Sequence, residues 1–133
     1  MAELKSHKEL VVWAKAMDLA EAIYCLAETM PKKEEYRLTS QLTRAAVSIP
    51  ANIAEGNARA SRKDYAHFIS IARGSAAEVE TLLLLAMRAN LAPEKAVSPL
   101  LMLLEEVSRM LNSLRARLAA EPSPRSSSLV PNP

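Results

Sequence analysis

The segment from Gln41 to Gly56, QLTRAAVSIPANIAEG, constrains the fold more than any other part of the chain. Its apolar residues recur at helical spacing, and four polar residues run beside them at steps of four, four and three positions. These four residues, which we call the polar stripe, are Arg44, Ser48, Asn52 and Glu55. A polar line beside a core-facing surface must find hydrogen-bonding partners or face water. The segment is therefore predicted to be an amphipathic helix whose choice of neighbours is restricted.

Composition favours one helical domain. A chain of 133 residues is long enough for one core, and its apolar half is built from Leu, Ala and Met, with few aromatic residues. Two glycines are too few for a loop-rich or all-β protein. The single cysteine, Cys25, excludes an internal disulfide and is typical of a reducing cytosol, so we expect a cytoplasmic protein. We recognise no signal peptide, and the longest apolar run is too short to cross a bilayer, so no membrane partner is expected.

Start and stop signals divide the chain into four helices. Ser6 and Glu9 have the spacing of a capping box, and Ser61 is a candidate N-cap with Asp64 three residues later. The start of the last helix is left open between two prolines. The predicted helices run from Ser6–Glu9 to Met30, from Glu34–Glu35 to Arg59, from Ser61 to Asn90, and from either Pro93 or Pro99 to about residue 120.

Four long helices with short connections predict an all-α protein, an antiparallel up-down-up-down four-helix bundle. Pro50 removes a backbone donor inside the second helix, so we expect a kink there. The bundle is predicted to occupy residues 1–120. Residues 121–133 are rich in Pro and Ser and have no helical pattern, which predicts a disordered C-terminal tail.

Heptad spacing predicts which faces are buried. In the first helix the predicted core residues are Leu10, Trp13, Met17, Ala20, Tyr24 and Ala27, and in the last helix they are Leu100, Leu104, Val107, Leu111, Leu114 and Leu118. Gly74 lies inside the third helix, where glycine costs about 1 kcal/mol relative to alanine. We therefore expect a neighbouring element to come close to it.

The polar stripe predicts a structural network between the second and third helices. On the third helix, Ser75 and Glu78 are positioned to face it, and Arg44 would form an ion pair with Glu78 or Glu55. Such a network fixes the register between helices or between subunits. A ligand site, or polar contacts across a subunit interface, are the alternatives that the residues leave open.

Positive charge is concentrated in the middle of the chain. Residues 31–75 contain eight lysines and arginines against four acidic residues, although the whole chain has a net charge of only +2. Such a patch can attract phosphates, whereas an ordinary solvated surface is the plainer alternative. The candidate nucleic-acid contacts are Arg37, Arg59, Arg62, Lys63 and Arg73.

Motifs for catalysis are missing from the sequence. The two histidines are far apart, no paired Cys/His spacing predicts a metal site, and no glycine-rich phosphate loop occurs. Ser75 has no histidine at a recognisable spacing that would activate it. We therefore expect no enzyme activity, no metal, no cofactor and no small-molecule substrate.

The combination of SIPANIAEG with RGSAAEVE resembles the bacterial four helix bundle protein family, and the resemblance covers about residues 8–118. That family is also known from open reading frames in intervening sequences of 23S ribosomal RNA genes, and some members are called ribosomal proteins. The resemblance implies a four-helix bundle that assembles into a homopentameric ring. It is similar to the accessory subunit of diversity-generating retroelements, which implies a reverse transcriptase as a partner.

Two functions follow as hypotheses. The first is a non-enzymatic homo-oligomer that binds RNA or DNA, or a nucleic-acid enzyme, through a basic surface repeated around the ring, since phosphate binding scales with the number of neutralised charges. The alternative is a structural or protein-interaction scaffold with no nucleic-acid role. The apolar runs Leu82–Leu85 and Leu100–Leu104 exceed what one bundle core needs, and self-association accounts for this excess under either hypothesis.

Overall fold

The computed structural model describes residues 6–7 and 10–120. It contains four α-helices: α1 (Val11–Thr29), α2 (Leu38–Asn57), α3 (Arg62–Arg88) and α4 (Glu94–Ala119). A short 3-10 turn, Lys32–Glu34, lies between α1 and α2. No strand occurs in this part of the chain. The predicted all-α fold with four helices is confirmed.

The helices pack as a bundle around one core. Both α1 and α3 pack against α2 and α4, so each helix has two neighbours. The core is a single cluster of aliphatic side chains, each of which contributes about 1.5–3 kcal/mol when it is fully buried. Its largest fully buried members include Leu19, Ile23, Leu42, Ile49, Ile53, Ile69, Leu83 and Leu111. The four helices are therefore held together mainly by aliphatic packing.

The connection between α2 and α3 follows the predicted signals. Ser61 is the N-cap of α3, and its Oγ accepts a hydrogen bond from the backbone N–H of Asp64 at 3.0 Å. The cap satisfies one of the backbone donors left open at a helix start. Gly56 lies in the last turn of α2, where a Cβ would come within 2.9 Å of both Phe68 Cβ and Tyr65 Cδ1. Glycine is therefore required here by the close approach of α3.

Other helix boundaries differ from the predicted ones. Helix α1 begins at Val11, after the Ser6–Glu9 capping spacing, and Glu9 itself is outside the described residues. Helix α2 begins at Leu38, because the 3-10 turn occupies the predicted start. Helix α4 begins directly after Pro93, and Pro99 lies inside it, which decides between the two predicted starts.

Helix α2 continues through Pro50, which is buried. The kink expected at this residue stays a prediction, as does the up-down order of the helices. The predicted tail, residues 121–133, lies outside the described part of the chain. None of the four described helices has the length and apolar content that crossing a bilayer requires.

The predicted buried face of α1 is wrong at most of its positions. Met17 and Tyr24 are 44% and 53% exposed, and Trp13 is only partly buried. Of the predicted residues only Ala20 is among the side chains that α1 buries; the others that it buries are Val12, Ala16, Leu19, Ile23 and Leu26. Because α1 is apolar on more than one side, two different stripes fit a heptad, and packing selects between them.

The expectation for Gly74 is also wrong within the chain. A Cβ built on Gly74 would meet no atom within 4 Å. The residue lies on the exposed side of α3, so no neighbouring helix of the same chain needs the space.

Candidate nucleic-acid interface

The basic residues predicted as one patch are divided between the two ends of α2. Arg37 directly precedes the helix, whereas Arg59, Arg62 and Lys63 follow its end. A helix of this length spans about 30 Å. The five predicted contacts therefore cannot act as one compact surface of a single chain.

One end of the bundle contains a groove between the first turns of α3 and the last turns of α4, which we call the basic groove. Its volume is about 540 Å³. The described residues that line it include two arginines, a lysine and a histidine, but no aspartate or glutamate. They are Arg62, Lys63, Ala66, His67 and Ser70 of α3 with Arg115, Leu118 and Ala119 of α4 and the following Ala120.

Two arginines join the walls of this groove. An Nη of Arg62 donates a hydrogen bond to the backbone carbonyl of Arg117 near the end of α4. The Nε of Arg115 donates to the Oγ of Ser70 on α3 at 2.6 Å. A cation on the last carbonyls of a helix is favourable, because these groups lack partners within the helix. Both walls are thus held in place by side chains that also carry the positive charge.

Lys63 has a different environment. Its ammonium group makes no hydrogen bond or ion pair with the described residues, and it lies in the first turn of α3. A cation at a helix N-terminus is opposed by the helix dipole by about 0.3–1 kcal/mol, whereas an anion there is stabilised. Placing a lysine at this position therefore does not help the helix, but it does increase the attraction of the groove for an anion.

The other two predicted contacts are engaged elsewhere. Arg59 forms an ion pair with Glu55 and lies over the ring of Phe68, with 4.7 Å from its guanidinium carbon to the ring centroid. Arg73 donates from Nε to Oδ1 of Asn112 on α4 at 2.7 Å. These two arginines contribute to the packing of α3 against its neighbours, so they are less available to a ligand than the side chains of the basic groove.

Two other grooves show how unusual this charge balance is. A groove of about 550 Å³ at the α1–α2 connection contains Lys32 together with Glu28 and Glu35. A smaller one of about 280 Å³ between α3 and α4 contains Arg73 together with Glu80 and Glu105. In both, acidic residues offset the positive charge. The basic groove lacks such compensation among its described residues, which makes it the surface best suited to a polyanion.

The polar stripe of α2 is only partly a network. The hydroxyls of Ser48 and Ser75 lie 2.8 Å apart and hydrogen bond across the α2–α3 contact. The amide of Asn52 donates to the hydroxyl and carbonyl oxygens of Ser48, at 2.9 and 2.8 Å. Three of the six predicted network residues are thus joined, at the partly buried edge where the two helices meet.

The predicted ion pair of Arg44 is wrong for the single chain. Arg44 is exposed and makes no hydrogen bond or ion pair with the described residues, and Glu78 is likewise exposed and without an ion pair there. Glu55 pairs with Arg59, one turn further along. The physical reason is position: Arg44 and Glu78 lie on the exposed sides of α2 and α3, where their charges face solvent and not a buried partner.

Sequence reasoning missed the α4 half of the basic groove. Arg115 and Arg117 fit the ordinary preference for cations near a helix C-terminus, and His67 fits a surface position. Arg115 and Arg117 come close to the start of α3 only because α3 pairs with α4, and about 50 residues of sequence separate them from it. The one available signal is that Arg115 and Arg117 lie in the last turns of α4, which an antiparallel pairing of α3 with α4 would place beside the first turns of α3.

The described residues contain no cluster of His, Cys, Asp and Glu that could hold a metal ion. No curated protein matches the chain. Among solved structures, the chain is similar to a protein of unknown function from the S23 ribosomal protein family of Bacteroides thetaiotaomicron. The two share 27% sequence identity with a TM-score of 0.74, over 79% of this chain and 98% of the other.

The conserved pattern of one family spans most of the sequence. It matches residues 8–113, which include all of α1, α2 and α3 and most of α4. The chain belongs to the 23S rRNA-intervening sequence protein family.

Proposed function

We propose that this protein is a non-enzymatic homo-oligomer that binds the phosphate backbone of RNA or DNA through the basic groove. The observation that carries the proposal is the positive charge of Arg62, Lys63 and Arg115 at the ends of two helices, in a groove whose described lining contains no acidic residue. Phosphates are bound by such groups with little dependence on base sequence. We therefore expect binding that tolerates sequence changes and weakens steeply with salt.

Self-association is the second part of the proposal. The outer face of α2 and α3 exposes Val47, Ile71 and Leu85 beside Arg44 and the open position at Gly74. A second copy packed on this face would cover apolar surface and supply partners to charges that have none among the described residues. The family resemblance leads us to expect five copies, and light scattering of the purified protein measures the number directly.

Assembly matters for affinity because the groove of one copy is small. Each neutralised phosphate contributes roughly 10-fold to the binding constant at about 50 mM salt. Copies that share one nucleic acid add their contacts, with an effective concentration set by their spacing. A modest groove on each subunit then gives strong binding by the assembly.

RNA is the first ligand to test. The family name refers to an intervening sequence of 23S rRNA, and the similar Bacteroides protein carries a ribosomal family name. These names support a nucleic-acid context but identify no ligand. A nucleic-acid enzyme such as a reverse transcriptase remains within the same proposal, since it would present bound nucleic acid to the groove.

The experiment measures the affinity of a labelled mixed-sequence RNA by fluorescence anisotropy over a salt series. Three proteins are compared: the wild type, Lys63→Gln with Arg115→Gln, and Lys32→Gln with Lys33→Gln as a control with the same loss of charge at the opposite end of the bundle. With an RNA short enough to occupy one groove, the groove variant should bind about 100-fold more weakly at about 50 mM salt, and the control nearly as well as the wild type.

Two results would contradict the proposal. If the wild type binds neither RNA nor DNA at this salt concentration, the nucleic-acid function is wrong, and the scaffold alternative gains support. If the two double variants lose affinity equally, binding depends on net charge alone and the basic groove is not the site.

A further inference from the structure

Arg115 differs from the other arginines near the basic groove in how its guanidinium is held. Its Nε donates to Ser70 Oγ at 2.6 Å, across the contact between α3 and α4, and both residues are partly buried. Its two terminal nitrogens make no hydrogen bond or ion pair with the described residues. The edge of the guanidinium formed by these two nitrogens matches two oxygens of one phosphate.

The neighbouring arginines are committed by their outer nitrogens. Arg62 uses a terminal nitrogen for the backbone carbonyl of Arg117, and Arg59 uses one for the carboxylate of Glu55. Arg115 instead uses its inner nitrogen for Ser70, which fixes the plane of the group and leaves the outer edge available. Of these three side chains, Arg115 is thus both oriented and able to bind a phosphate through two hydrogen bonds.

Holding a long side chain before the ligand arrives increases affinity. An arginine that is mobile in the unbound protein loses rotamer freedom on binding, and fixing one such side chain changes affinity by about 3- to 10-fold. The hydroxyl of Ser70 supplies this restraint without adding or removing charge. Its effect on binding is therefore separable from the electrostatic effect of Arg115.

We infer that Ser70 is a positioning residue, which orients the Arg115 guanidinium so that its two terminal nitrogens bind one backbone phosphate as the main anchor of the basic groove. The inference rests on the proposed nucleic-acid binding. It assigns unequal roles to residues of similar charge: Arg115 binds phosphate, while Arg62 mainly secures the end of α4.

The test is a double-mutant cycle on RNA affinity and its salt dependence, using Ser70→Ala, Arg115→Gln, the double variant and Ser70→Thr. Ser70→Ala should weaken binding by about 3- to 10-fold with an unchanged salt slope, because the number of phosphate contacts is the same. Ser70→Thr should keep wild-type affinity, since the threonine hydroxyl can accept the same hydrogen bond from Arg115. With an RNA short enough to occupy one groove, Arg115→Gln should lower affinity about 10-fold and reduce the slope by about 0.7–0.9.

The double variant separates positioning from a structural role. If Ser70 acts through Arg115, Ser70→Ala has no further effect on RNA affinity once Arg115 is Gln. An equal loss in both backgrounds, or wild-type affinity for Ser70→Ala, would overturn the inference while leaving groove binding intact. Absence of RNA and DNA binding by the wild type would instead overturn the proposed function, on which the inference depends.

Discussion

The two glycines of the chain, Gly56 in α2 and Gly74 in α3, lie in different surroundings. At the α2–α3 connection, which we call the closed end, Gly56 allows α3 to approach so closely that Tyr65 and Phe68 fill the space that a side chain would need. The exposed side of the pair, with Arg44 and Val47 of α2 and Ile71, Gly74 and Leu85 of α3, is what we call the open face. There, Gly74 has no neighbouring atom within 4 Å of a built Cβ, and Arg44 makes no ion pair with the described residues. The fold of one chain explains the first glycine and does not explain the second.

This difference divides the sequence pattern into two kinds of requirement. The closed end positions the first turn of α3, and with it the α3 wall of the basic groove. The open face combines a glycine, charges without an ion pair among the described residues, and exposed apolar groups, an arrangement that fits contact with another copy. Substitutions that separate folding from assembly can therefore test each region independently.

Gly56→Ala should have the largest effect on folding. The added Cβ would lie 2.9 Å from two carbon atoms and 3.2 Å from the Tyr65 carbonyl oxygen, so α2 and α3 must separate. Overpacking of this kind costs about 1–3 kcal/mol, even though alanine is the better helix former. Urea unfolding followed by circular dichroism measures the change, and wild-type stability would show that the close approach is not required.

Removal of the cap on α3 should cost less. Ser61→Ala deletes the oxygen that accepts from the Asp64 N–H and should lower the free energy of unfolding by about 1 kcal/mol. Ser61→Asn is the matched control, because asparagine is an equally good N-cap and should keep most of the stability. An equal loss in both variants would mean that the serine acts through something other than capping.

Gly74→Ala should act in the opposite direction to Gly56→Ala. With open space around the position, the substitution should stabilise the dissociated chain by about 0.5–1 kcal/mol through helix propensity. If a second copy covers this face, the new methyl group should also weaken assembly in light scattering. Greater stability with unchanged assembly would show that no other copy approaches Gly74.

Arg44→Ala should have the smallest effect on the folding of one chain. Because Arg44 is exposed, its loss should change the free energy of unfolding by less than about 0.5 kcal/mol at concentrations where the protein is dissociated. Assembly should weaken if the open face is an interface. A loss of several kcal/mol in the dissociated chain would show that Arg44 does form a buried ion pair, as the sequence predicted.

The sequence predicted features that depend on local signals. Ser61 starts α3 because its side chain caps the neighbouring backbone, and the aliphatic positions of α4 are buried at Leu100, Leu104, Val107 and Leu111 as their spacing indicates. The buried face of α1 was predicted wrongly, because apolar residues surround much of that helix and either of two stripes fits the period. Periodicity is informative only where the opposite face is polar.

The candidate site was predicted less completely than the fold. Arg62 and Lys63 were recognised as cations, but their partners in the groove come from α4, and Ser70 carried no signal of its own. Charge along the chain does not show which end of a helix faces which neighbour. Arg37 and Arg59 belong to the same basic segment of the sequence, yet they lie at opposite ends of α2 and are therefore separated by its length.

The most direct test of the account is to locate RNA on the protein surface by backbone amide chemical-shift perturbation, at about 50 mM salt and with a short mixed-sequence RNA. Binding in the basic groove predicts that the largest shifts fall at the start of α3, around Arg62 to Ser70, and at the end of α4, around Arg115 to Ala120. Largest shifts around Lys32 and Lys33, or on the open face of α2, would contradict it.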